Sequence, residues 1–135
     1  EKDIHINSIK NLLHYDDLED LAGLYLQEEK KYYIIPSTNK QGAKLIEYEM
    51  RDKYGNKACI QCKIGNSSVE VDKICNKFAD YKIFICVLDE RQKNNYTDKK
   101  RNIEEITFEE LFKWAQKHKK ILPQRIQNYL SLLSD

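Results

Sequence analysis

Glu47, Glu49, Gln61 and Lys63 bring together an anion, an amide and a cation, at spacings that set them side by side. From Leu45 to Arg51 the two glutamates alternate with Ile46, Tyr48 and Met50, and from Ala58 to Ile64 the pair Gln61 and Lys63 alternates with Ile60, Cys62 and Ile64. A period of two is the mark of a half-buried strand. The stretch Asp52-Lys53-Tyr54-Gly55-Asn56 between them supplies turn residues, so the two segments read as a hairpin. The apolar faces of the two strands seek the core together. That choice is expected to leave Glu47, Glu49, Gln61 and Lys63 on the remaining side, within one side chain's reach across neighbouring strands. The plain alternative is a solvated face with cross-strand ion pairs worth under ~1 kcal/mol. Hairpin register shifts with loop type, so either Glu47 or Glu49 can stand opposite Gln61.

The elements that must position this hairpin follow in order. Ile6, Ile9, Leu12 and Leu13 give a short helical pattern over Ile4 to His14. A second helix follows from Asp16, with Leu18, Leu21, Ala22, Tyr25 and Leu26 on one face and Glu19 at the capping-box position. Gly23 within it costs about 1 kcal/mol relative to alanine. Tyr32 to Ile35 reads as a strand and Pro36 to Gly42 as a loop. After the hairpin, Gly65 to Ser68 is a loop and Val69 to Ala79 a helix. Tyr81 to Leu88 is nearly all apolar, which implies an interior strand reached by a helical crossover. Asp89 to Asn102 is a polar excursion, Glu104 to Ile106 a short edge strand, and Thr107 caps a helix over Phe108 to Lys119. Pro123 suits the first turn of a last helix ending near Leu133. The expected fold is a single α/β domain over residues 1–135, a mixed sheet of about four to five strands with helices on both faces.

In this order of elements the hairpin resembles the core of the PD-(D/E)xK nucleases. It is most similar to the branch with Gln-x-Lys in place of Glu-x-Lys, as in Mrr-type restriction endonucleases. The likeness runs from Asp16 to Leu88 and leaves the last two helices outside it. It implies a restriction endonuclease-like three-layer α/β/α fold and Mg²⁺- or Mn²⁺-dependent hydrolysis of DNA, in a restriction or defence setting. Glu47 stands where the family carries Asp. With the Gln61 amide oxygen and the main-chain carbonyl of Cys62, it would ligate the metal. Lys63 would hold the attacking water and neutralise the growing charge, and Glu19 resembles an accessory acid on the neighbouring helix. The likeness leaves the oligomeric state open, although double-strand cutters with one site per chain often pair as homodimers. An inactive module of the same fold, serving nucleic-acid binding or assembly, is the rival reading.

Composition narrows the rest. The 135 residues carry 23 basic and 22 acidic side chains, so net charge points to no partner, and any nucleic-acid contact needs clustered bases. Lys99, Lys100 and Arg101 form one such cluster and Lys117 to Lys120 another, each able to meet phosphates or simply to be solvated. Tyr81 to Leu88 is far too short to cross a bilayer. Glu1 to Lys10 lacks a signal-peptide core, and the missing initiator Met suggests a domain excised from a longer chain. Cys59, Cys62, Cys75 and Cys86 are expected as reduced thiols of a cytoplasmic protein. Cys59-x-x-Cys62 lies in a strand, where residues three apart face opposite ways, which argues against zinc. His5, His14 and His118 form no ligand pair, Phe112 and Trp114 read as packing, and no phosphate-binding or dinucleotide fingerprint occurs.

Overall fold

A computed structural model describes residues 15–35, 46–63, 70–87 and 95–132. The helix expected over Ile4 to His14 and the loops expected after Pro36 and Gly65 lie outside them. Helix α1 (Tyr15–Tyr25) runs on into a π-helical turn (Leu26–Lys30) and buries Leu18, Leu21, Ala22, Tyr25 and Leu26. It stops at Lys31, which adopts a left-handed φ of 60° while its N–H closes onto the Leu26 carbonyl. Then come β1 (Tyr33–Ile34), β2 (Tyr48–Arg51), β3 (Lys57–Lys63), α2 (Val71–Lys77), β4 (Lys82–Val87) and β5 (Ile103–Thr107). Helix α3 (Phe108–Lys117), a 3-10 turn (Lys119–Ile121) and α4 (Gln124–Leu132) complete the described chain.

The five strands form one mixed sheet in the order β1-β2-β3-β4-β5. The pairs β1–β2 and β2–β3 are antiparallel, while β3–β4 and β4–β5 are parallel. Parallel neighbours need a crossover, and α2 supplies the one between β3 and β4. The final strand, expected at Glu104 to Ile106, is longer by a residue at each end and lies at the sheet's edge.

Each face of the sheet has its own core. Tyr48, Met50, Ala58, Ile60, Cys62, Phe84, Cys86 and Ile106 pack with α1, α3 and α4. Cys59, Ile83, Ile85, Val87 and Ile103 pack with Ile74 and Phe78 from α2 and its end. Strand β4 is therefore covered on both sides, which accounts for its unbroken apolar sequence. The arrangement is α/β with layers on both sides of an open sheet.

Three local devices hold the elements in place. In the hairpin turn, the Asp52 carboxylate accepts the N–H groups of Tyr54 and Asn56 at 2.9 and 2.8 Å, and Gly55 takes a φ of 87°. That left-handed residue is what lets a tight loop match the strands' twist. At the start of α3, the Thr107 hydroxyl accepts the Glu110 N–H at 3.2 Å, an N-cap. Glu110 does not close the box; its carboxylate accepts the Tyr25 hydroxyl instead and ties α3 to α1. Gly23 has a packing reason: a Cβ there would lie 3.0 Å from Ile34 Cδ1 and 3.4 Å from Tyr48 Cε2. The helix accepts glycine's cost in order to lie close on β1 and β2.

Candidate functional site

The geometry around Glu47 departs from simple alternation. Its N–H still bonds the Ile60 carbonyl at 2.7 Å, so the ladder with β3 reaches this residue. The chain bends here, however, and β2 begins only at Tyr48. Ile46 falls into the α2-side core and Tyr48 into the α1-side core, although a regular strand would put both on one face. Released from the strand's period, the Glu47 carboxyl meets Glu19 of α1. The two side chains hydrogen-bond. Burial first, then the bond to and charge of Glu47, push the Glu19 pKa up to about 8. At neutral pH the pair thus keeps one proton between its two carboxyls, because two carboxylates this close cannot both ionise comfortably.

Neighbouring acids deepen the effect. Asp16 and Asp20 both raise Glu19; burial and then Asp16 raise Asp17, and burial and then Asp17 and Asp16 raise Asp20. Asp17 is buried and is met by Arg125 of α4 at 3.2 Å. Asp16 lies inside the first turn of α1, so it is not the N-cap, and Glu19 spends its side chain on Glu47 and not on a capping box.

The other glutamate has a different fate. Glu49 stands opposite Cys59, and its carboxylate accepts the Tyr81 hydroxyl. The expected single-faced set of Glu47, Glu49, Gln61 and Lys63 is therefore divided, and the cause is the bend at Glu47. Gln61 is half-buried, pairs with Ile85 in β4, and its Oε1 accepts the N–H of its own neighbour Cys62 at 3.0 Å. Lys63 holds register opposite Val87, and its side chain lies outside the described residues.

The cysteines sort by face as the strand period requires. Cys62 lies on the α1 side, where its thiol hydrogen-bonds with that of Cys86; Cys59 lies on the α2 side near Cys75. The bond to Cys86, then burial, raises the Cys62 thiol well above its ordinary range. Burial is the main cause that pushes Cys59 up to about 12. Protonated thiols are poor metal ligands, and all four cysteines are free. Among the described residues no group of three or more His, Cys, Asp or Glu side chains is gathered to hold a metal ion.

The basic cluster lies elsewhere. Arg101 bonds Asp98 at 3.0 Å and Asp72 of α2 at 2.9 Å, a clamp on the turn before β5. That turn adjoins Ile83 through the Asn102 carbonyl, whereas Gln61 and Lys63 pair with Ile85 and Val87 toward the opposite end of β4. Lys99 and Lys100 are exposed, and the fold does not bring them to the carboxyl pair. His118 stacks on Trp114 with ring centres 4.7 Å apart, and the Trp114 indole donates to Glu29 at 3.0 Å. His5 and His14 lie outside the described residues. Asp17, Asp20 and Tyr81 were not singled out from sequence; the contacts of Asp17 with Arg125 and of Tyr81 with Glu49 join distant segments, whereas Asp20 acts within its own helix.

Comparison of the chain with family models, with curated proteins and with solved structures found no match to any of them. No helix among the described residues is long and apolar enough to cross a membrane.

Proposed function

We propose that this chain is a Mg²⁺- or Mn²⁺-dependent phosphodiesterase domain that hydrolyses DNA in a restriction or defence system, on the PD-(D/E)xK plan with Gln61-x-Lys63. The observation that carries this reading is the contact between the Glu19 and Glu47 carboxyls, with the Glu19 pKa raised to about 8. A helix acid and a hairpin acid that share a proton make a place where a divalent cation would take over the proton's role of relieving their repulsion. Hard oxygen donors fit a hard divalent ion: Glu47, the Gln61 amide oxygen and the Cys62 main-chain carbonyl would hold it, with Glu19 as a further acid. Such an ion supplies Lewis acidity, lowering the pKa of a nearby water and polarising a phosphoryl oxygen.

The chain's own groups do the rest. Glu19 must release its proton for the site to reach full negative charge. Gln61 must exchange its bond to the Cys62 N–H for the incoming cation. The Lys63 ammonium orients the attacking water and neutralises charge growing on the phosphoryl oxygens. Water oxygen bonds to phosphorus as one ester bond breaks, and the departing oxygen takes up a proton. The order of elements from α1 through β4 supports the same reading, as does a mixed sheet covered on both faces.

The test is cleavage of plasmid and single-stranded DNA with Mg²⁺ or Mn²⁺, beside Lys63→Ala and Glu47→Ala. Both variants are expected to lose divalent-dependent cleavage while melting as folded proteins. Undiminished cleavage in either one refutes the assignment.

A further inference from the structure

At the turn end of the hairpin, away from the carboxyl pair, one row of side chains crosses four chain segments. Tyr33 of β1 stands opposite Arg51 of β2, and Arg51 opposite Lys57 of β3. Ala58 pairs with Lys82, so Lys57 comes level with Tyr81. Opposed residues share a sheet face, and strands lie about 4.8 Å apart. The row thus runs ring, cation, cation, ring over roughly 14 Å. The Arg51 guanidinium lies 5.8 Å and the Lys57 ammonium 5.6 Å from the Tyr81 ring centre. In the adjoining turn Lys53 lies 5.1 Å from the Tyr54 ring centre.

Three features set this surface apart. Of the three large hydrophobic side chains exposed among the described residues, two are here: Tyr33 at 50 % and Tyr54 at 77 %. Two carboxylates of the hairpin here are engaged by hydrogen-bond donors, Glu49 by Tyr81 and Asp52 by the turn N–H groups and the Asn56 amide. None of the ion pairs among the described residues involves Arg51, Lys53 or Lys57. The result is a positive surface with rings interleaved and no aliphatic anchor in the row for a lipid tail or a peptide side chain.

We infer that the row Tyr33–Arg51–Lys57–Tyr81, with Lys53 and Tyr54 of the turn, is a binding surface for single-stranded nucleic acid. Tyr33 and Tyr54 receive unstacked bases, and Arg51, Lys53 and Lys57 meet the phosphates between them. Single strands are bound by this alternation of π faces and cations, which tolerates any base. A duplex hides its base faces and gives the rings nothing to stack on. The surface extends the proposed reading without resting on it, since binding here needs neither metal nor turnover.

The experiment is fluorescence anisotropy of the whole protein with a labelled 12-nucleotide thymidine oligomer in EDTA, with a uridine ribo-oligomer, a duplex and polyglutamate as further arms. Both single strands are expected to bind within about threefold of each other, because stacking and phosphate contact are common to them. Tyr54→Ala and Tyr33→Ala each weaken binding about tenfold. Lys53→Ala with Lys57→Ala lowers the slope of log affinity against log salt by about 1.4, near 0.7 per lost phosphate contact. All four side chains are exposed, and melting checks that the variants remain folded. Affinity within twofold of the parent for both tyrosine variants would overturn the proposal, as would equal binding of duplex or polyglutamate. Oligomer binding by a parent protein that cleaves no DNA with Mg²⁺ or Mn²⁺ counts against the hydrolytic reading alone.

Discussion

Glu47 and Glu49 sit two residues apart in one strand segment, yet they end in opposite electrostatic circumstances. Glu49 faces a phenol: its carboxylate accepts the Tyr81 hydroxyl, whose oxygen in turn accepts from the Arg51 guanidinium, so its charge is answered within the fold. Glu47 faces another acid, Glu19, with Asp16 and Asp20 close behind. One end of the hairpin has satisfied its own charge; the other stores an excess that a proton now relieves. The lesson is that a site for a cation is identified less by the presence of carboxylates than by what the fold declines to place beside them.

The sharpest way to break the comparison is to remove each acid in turn. Glu47→Gln is expected to lower divalent-dependent cleavage by at least about a hundredfold, the scale for losing one preorganised electrostatic group. Glu49→Gln should leave it within a few fold, measured on the same plasmid. Equal losses would mean that the two glutamates act together.

The next largest effect concerns how α1 reaches the hairpin. Gly23→Leu forces a side chain into the contact with Ile34 and Tyr48, and is expected to cost about 2 kcal/mol by denaturant unfolding. Because α1 is then held off the sheet, the Glu19 titration should move back toward the ordinary carboxylate range in the same variant. A destabilised protein whose Glu19 still titrates near 8 would detach the carboxyl contact from helix packing.

A third test uses pH. Glu19 binds its proton more tightly folded, at about 8, than unfolded, near the ordinary glutamate value of 4.5. The folded state therefore holds more protons between those values, and stability must fall as pH rises from about 4.5 to 8. The contribution is complete below 4.5 and gone above 8. Glu19→Gln, which keeps a donor toward Glu47, should flatten that part of the melting-temperature profile; an unchanged slope would assign the pH dependence to other groups. Smallest of all, Tyr81→Phe removes the hydroxyl from Glu49 and is expected to cost about 1 kcal/mol with cleavage unaffected.

Much of the frame was readable from the amino acids because it rests on local rules. Alternation located β2 and β3, the Asp52 to Asn56 turn carried its own chemistry, Thr107 announced α3, and the apolar run of β4 declared a doubly covered strand. The opposite facing of Cys59 and Cys62 followed from the same period of two. The bend at Glu47 was not readable, because a strand that starts at Tyr48 looks the same in composition as one that starts at Leu45. Neither was the meeting of Glu19 with Glu47, nor that of Glu49 with Tyr81. Each joins segments far apart in the chain, and a single sequence has no local signal for which acid will face an acid and which a phenol. Arg101 misled for a related reason, since a Lys-Lys-Arg run does not disclose that Asp72 and Asp98 will claim its last member.

The most direct measurement is calorimetric titration of the protein with Mn²⁺ at pH 7 in buffers of differing ionisation enthalpy, which counts protons as the ion binds. If Glu19 and Glu47 share a proton that a cation displaces, binding should release close to one proton, tighten as pH rises toward 8, and vanish in Glu47→Gln. Binding that releases no proton, or that persists unchanged in Glu47→Gln, would contradict the account.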